Sequence, residues 1–227
     1  MIRKIFVASA FAALTLSAAA QAAVIPVVNA GFENPNVGSG GYTSDYPSAI
    51  PSWTGAGTQN ADLTGGSCGV YAPGGVPEGI NIAYINLNSP GTGYLTQTLS
   101  DVLGGVGSTY DLSVDIQRNK ADGYKLILSV GATQLQSATY TYDSNVNGFA
   151  TLAIPTYTVQ SGDPIGGALT IRLEAVRTSL DTDPGAGDSG FQQACLDNVQ
   201  ISNSVVPEPA SLGLLAMAGT LLMRRRK

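Results

Sequence analysis

The sequence predicts an all-β protein, an antiparallel β-sandwich of the jelly-roll kind, and three observations carry that expectation. Several runs alternate apolar and polar residues with a period of two; clusters of glycine and proline separate the runs; outside the two termini, no window repeats apolar residues at helical spacing. The first segment, IPVV at 25–28, is short and apolar, and INIAYIN (80–86) and YLTQTL (94–99) follow it. Alternation is clearest where Tyr110, Leu112, Val114 and Ile116 interleave with Asp111, Ser113, Asp115 and Gln117, a strand with one face in a core and one in water. Tyr124, Leu126, Leu128 and Val130 repeat it, as do Leu169, Ile171 and Leu173. QLQSATYTY (134–142), FATLAIPTYTV (149–159) and LDNVQIS (196–202) complete the set. Pro155 cannot donate to a ladder, so its run belongs at a sheet edge or carries a bulge. The turns between are NPNVGSGG, APGGVPEG, NSPGTG, NVNG, SGDPIGG and DTDPGAGDSG.

Both ends of the 227-residue chain read as address labels around one domain, 24–203. MIRK, an apolar run to Ala20 and the A-x-A-like Ala20-Gln21-Ala22 form a signal peptide over 1–23, which implies export. Between Val24 and Val206 five basic residues face fifteen acidic ones, a net charge of −10. Such a surface repels phosphate backbones, and nucleic acid is not an expected partner. The chain contains no histidine, which removes Ser-His-Asp and Cys-His relays and His-bearing metal sites. On this ground a non-enzymatic protein is expected. Cys68 and Cys195 are the only cysteines; in an exported chain they either pair as a disulfide or stay as buried thiols.

Two segments hold carboxylates whose placement calls for a partner. PVVNAGFENP ends in a polar turn with Glu33, and Asp197 shares strand parity with Val199 and Ile201, which face the core. A carboxylate there either accepts backbone N–H bonds or helps ligate a hard cation such as calcium. NAGFENP, IPSWTG, GVY, PEGINIAYIN, TQTLS, STYDLSVDI and LDNVQIS together resemble the galactose-binding-like jelly rolls related to carbohydrate-binding modules, over most of 24–203. The resemblance implies that Glu33 and Asp197 hold a structural calcium, and that an aromatic platform binds sugar. Trp53 is the first choice for that platform, with Tyr71, Tyr84 and Tyr42 behind it, though a lone Trp in a sandwich also serves as core. Some relatives of this jelly roll are cyclases using acid/base carboxylates, a role open to Asp115 or Asp111, yet alternation puts both on a solvent face. Gly187-Asp188-Ser189-Gly190 mimics a protease nucleophile loop but lacks a histidine base, and the Asp181–Gly185 stretch departs from a calcium loop at its third ligand.

The C-terminal segment, 204–227, carries the most specific pattern. Pro207-Glu208-Pro209 precedes fourteen uncharged residues, Ala210 to Met223, and then Arg224, Arg225, Arg226 and Lys227. As a helix the apolar run spans about 21 Å, short of a hydrocarbon core of about 30 Å. The order resembles the PEP-CTERM sorting signal of Gram-negative bacteria. That resemblance implies an exosortase as partner, transient inner-membrane anchoring, and delivery to the cell surface or extracellular matrix, in the company of exopolysaccharide and biofilm systems. The leading expectation is a surface-sorted, glycan-binding or structural sandwich; the alternative is a hydrolase or cyclase on the same scaffold.

Overall fold

A computed structural model describes residues 22–41, 43, 50–58, 67–71, 76–87, 90–117, 121–142, 148–178 and 192–204. These belong to the compact unit Ala22–Val205. Nearly all of the signal peptide, the Pro207-Glu208-Pro209 motif with everything after it, Tyr42, and both loops singled out above at 181–190 lie outside the described residues.

Twelve strands form two sheets, and no helix occurs among the described residues. In chain order they are β1 (Ala22–Ile25), β2 (Thr54–Thr58), β3 (Ser67–Tyr71), β4 (Ile82–Leu87), β5 (Gly91–Val102), β6 (Thr109–Gln117), β7 (Gly123–Val130), β8 (Thr133–Thr141), β9 (Phe149–Ala153), β10 (Tyr157–Thr158), β11 (Ala168–Arg177) and β12 (Gln192–Ser204). One sheet runs β2-β5-β11-β7-β8. The other runs β10-β6-β12-β4-β3, with β1 also pairing β12 and β9 also pairing β6. Every pairing is antiparallel. The fold class read from the sequence is therefore the one observed.

The period-two runs do what their pattern dictates. Leu112, Val114 and Ile116 of β6, Leu126 and Leu128 of β7, and Leu169, Ile171 and Leu173 of β11 meet in one apolar core between the sheets. Each such side chain contributes about 1.5–3 kcal/mol by leaving water, so a one-residue slip in any of these strands would forfeit several of them together. Pro155 falls between β9 and β10, which both lie along the outer side of β6. The proline thus splits an edge strand in two.

A second, smaller apolar cluster of Ile82, Tyr84 and Cys195, flanked by Val76 and Phe149, lies apart from the main core. The disulfide expectation meets an obstacle in the register. Cys68 on β3 pairs with Ile85 and Cys195 on β12 pairs with Tyr84, so β4 lies between them. Two strand spacings amount to about 10 Å, beyond the about 7 Å that Cα atoms of a disulfide span.

Candidate active site

The site grows from a fault in the pairing of β12 with β6. Asp197 pairs with Asp115, but the next partners are Gln200 and Ser113, so β12 carries an extra residue. Asn198 takes it up in the left-handed region, φ 50°, where asparagine is tolerated better than most side chains. The bulge reverses the phase of the strand: Leu196, Val199 and Ile201 all face the core. Asp197 consequently shares a face with Cys195 and Asp115, opposite to Val199 and Ile201, which corrects the parity assumed from sequence. Asp115 is corrected with it, being buried rather than solvated.

At the same level β12 lacks a strand neighbour on its other side. Pairing with β1 ends at Ile25 opposite Ile201, and pairing with β4 begins at Ala83 opposite Leu196. Two loops fill the gap. Val199 N donates to Ala30 O at 3.0 Å. Glu33 Oε1 accepts from Ile80 N at 2.7 Å and Asn81 N at 2.8 Å, and Asn81 Nδ2 donates back to Phe32 O at 3.2 Å and Pro35 O at 2.9 Å. The loops approach closely enough that a Cβ at Gly31 would sit 1.5 Å from Glu78 Oε2, so any side chain there must push the Glu78 carboxylate aside.

The carboxylates converge here. Asp197 is fully buried; its Oδ2 accepts from Glu78 N at 3.0 Å and its Oδ1 from Asn198 N at 2.8 Å. Asp115 accepts from Thr151 Oγ1 at 2.6 Å and from Asn198 Nδ2 at 2.9 Å. Burial pushes the Asp197 carboxyl up to about 7; the two backbone N–H donors oppose that rise, and the Glu78 and Asp115 charges add to it. Above this cluster opens a cleft of about 1290 Å³ whose walls include Glu33, Glu78, Asp111, Thr151 and Asn198. Both N–H donors to Asp197 thus come from cleft-lining residues. A carboxyl that keeps its proton to near neutrality, beside carboxylates able to steady a cation, suits acid-promoted chemistry.

Glu33 and Asp197 are brought to one site, as their residue types suggested. Among the described residues, however, no three acidic, cysteine or histidine side chains gather to hold an ion. The oxygens just named take N–H donors, and the open hard donor is Asn81 Oδ1, buried without a partner. Trp53 is no sugar platform: it is 4 % exposed, packs against Phe32 with ring centroids 5.4 Å apart, and donates from Nε1 to Asn29 O at 3.2 Å. Tyr84 is buried too and donates to Thr43 O. Tyr71 pairs with Ile82 at the end of β3, and its side chain lies outside the described residues. Sequence reasoning missed Glu78 and Asn198; the PEG and LDN tripeptides that contain them mark only a turn and a strand start.

The family profile described as HpiC1-like, HpiC1 cyclase, matches residues 23–202. The chain belongs to the HpiC1-like cyclase family. Solved structures agree. A Stig cyclase, Fisc, from Fischerella sp. TAU, in complex with (3Z)-3-(1-methyl-2-pyrrolidinylidene)-3H-indole, is 26% identical, with 83% of this chain and 99% of that one covered and a TM-score of 0.65. An apo cyclase from Fischerella sp. is 28% identical, with 83% and 97% covered and a TM-score of 0.64. A Fischerella sp. TAU cyclase in complex with 4-(1H-indol-3-yl)butan-2-one is 27% identical, with 82% and 100% covered and a TM-score of 0.63. No curated protein matches the chain. Membership in the HpiC1-like family overturns the expectation of a non-enzymatic protein. That expectation leaned on the missing histidine, which does not exclude chemistry that uses carboxyl groups.

Proposed function

We propose that this chain is an acid-promoted cyclase acting on an indole-bearing or similar aromatic substrate. The observation that carries the reading is the HpiC1-like match over 23–202; the indole compounds held by two solved relatives support the substrate class. Asp197 lies behind the cleft-lining Glu78 and Asn198 whose N–H groups it accepts from, and the mechanism requires it to reach substrate between them. Asp197 in its neutral form donates a proton to an unsaturated carbon of the substrate, and the cation so formed is steadied by Glu78 and Asp115. An internal π bond attacks it and closes the ring; loss of a proton to the Asp197 carboxylate restores the acid. The proton balance closes on itself, so the net change is an isomerisation. The test is product analysis by mass spectrometry with indole-bearing alkenes. Asp197→Asn should lower turnover by about 10²–10⁴-fold while the far-UV spectrum stays unchanged; full turnover in that variant overturns the assignment.

A structural calcium at the same loops is a second reading, favoured by the partnerless Asn81 Oδ1. Glu33 and Asn81 would hold it together with Asp197, and its charge would steady the loops in place of a proton on Asp197. A chelator-sensitive melting temperature supports it, and an unchanged melt in EDTA sinks it. We further propose that the enzyme works after export and exosortase sorting, on the strength of the two terminal patterns.

A further inference from the structure

Six large apolar side chains are exposed among the described residues, and three of them share one end of the sandwich: Val102 (51 %), Val106 (59 %) and Ile165 (51 %). Val102 ends β5, and Val106 and Ile165 sit on the two loops beyond it, tied together by backbone bonds, Leu103 N to Gly167 O and Gly166 N to Leu103 O at 2.9 Å each, and Gly107 N to Val159 O at 3.0 Å. A fourth, Val24, is 82 % exposed on β1, near the same end. The chain leaves the described fold there. Ser204 pairs with Ala22 on one side and with Thr109 on the other, and Thr109 follows directly on the loop that carries Val106. Beyond Ser204 the sequence soon reaches the uncharged run 210–223 and its four terminal basic residues.

The loop segments 102–109 and 159–168 hold one charged residue, Asp163. Its carboxylate is engaged within the loop, accepting from Tyr157 Oη and from Gln160 N at 2.6 Å. Asp101 is the other acid beside the patch, and no lysine or arginine accompanies it. An uncharged apolar end next to an apolar chain exit fits a membrane interface. We propose that this end of the sandwich rests on the surface of a zwitterionic bilayer, with Val102, Val106 and Ile165 entering the interface. The acidic flanks make an anionic bilayer the poorer surface. The cleft on the outer face of the β6–β12 sheet would then stand beside the membrane and stay open to an apolar substrate arriving along it.

The experiment uses the full chain in phosphatidylcholine vesicles, with a tryptophan introduced singly as Val106→Trp, Ile165→Trp or, at the opposite end, Thr141→Trp. Emission of the unsubstituted chain, whose Trp53 is buried, is subtracted. Vesicles with bromine-labelled acyl chains should quench the added emission at 106 and 165 at least twofold more than at 141. Either loop position suffices if the other variant misfolds. Equal quenching at all three positions, or none at 106 and 165, overturns the proposal; so does a crosslinked dimer that shields both loops without lipid.

Discussion

At Asp197 a single carboxyl is held by two N–H donors yet still titrates near 7, because burial outweighs those bonds and two neighbouring acids add to it. An exposed aspartate loses its proton near pH 4, about three units lower. Between those values the folded chain binds more protons than the unfolded chain, so this group's contribution to stability declines as pH rises from about 4 to about 7. Two outcomes are expected. The cyclisation rate should fall as pH rises through about 7, followed by product formation across a pH series, and a rate that stays level there would remove Asp197 as the acid. Melting temperatures of the wild type should drop across the same window relative to Asp197→Asn, which has no charge to form. Gly31 offers a separate check on the loops. Gly31→Ala must displace the Glu78 carboxylate, whose Oε2 would otherwise lie 1.5 Å from the new Cβ, and should lower turnover more than it lowers the melting temperature.

The element that makes the site is β12, and its bulge is the feature that sequence patterning could not show. Alternation predicts one continuous phase along LDNVQIS, whereas the extra residue at Asn198 reverses it between Leu196 and Val199. Asn198→Val should destabilise the fold by about 1–2 kcal/mol, because a β-branched residue resists the left-handed conformation. That corresponds to a fall of about 2–8 °C in melting temperature for a chain of this size. Asn198→Gly keeps the backbone free and loses only the side-chain bonds to Asp115 and from Gln200 Nε2, which Val also loses, so its fall should be smaller; a larger one would mean that the side chain, not the backbone, holds the bulge. The strands that were legible, β6, β7 and β11, bury one full face. Those that were not, β2 with TGAGT and β3 with SCGVY, lack alternation and are rich in small residues. Glu33 and Asp197 were legible as carboxylates in need of partners, but apart from the adjacent Asn198 N those partners come from a loop 45 or more residues from either, which no local pattern reports.

For the whole molecule, the sandwich followed from composition and period, while the activity did not, since a β-sandwich hosts binding and catalysis alike. The acidic domain and its terminal labels concern a different question, where the enzyme works. A domain with net charge −10 between Val24 and Val206 gains nothing from an anionic membrane surface. Under the proposed sorting, attachment would rest on the uncharged run 210–223 and its basic end, with the apolar loop end of the sandwich adding contact that needs no charge. A helix of fourteen residues would span about 21 Å, short of a hydrocarbon core of about 30 Å, so the proposed sorting predicts temporary holding rather than permanent anchoring. If Pro207-Glu208-Pro209 is read by a processing enzyme, replacing all three with alanine should leave a longer, membrane-bound species, seen by intact-mass analysis of cell fractions. The β12 strand ends at Ser204, before the motif, so the substitution changes none of the described cleft residues, and the retained species should still cyclise substrate. Normal processing of the triple variant would overturn the sorting assignment without touching the enzymatic one.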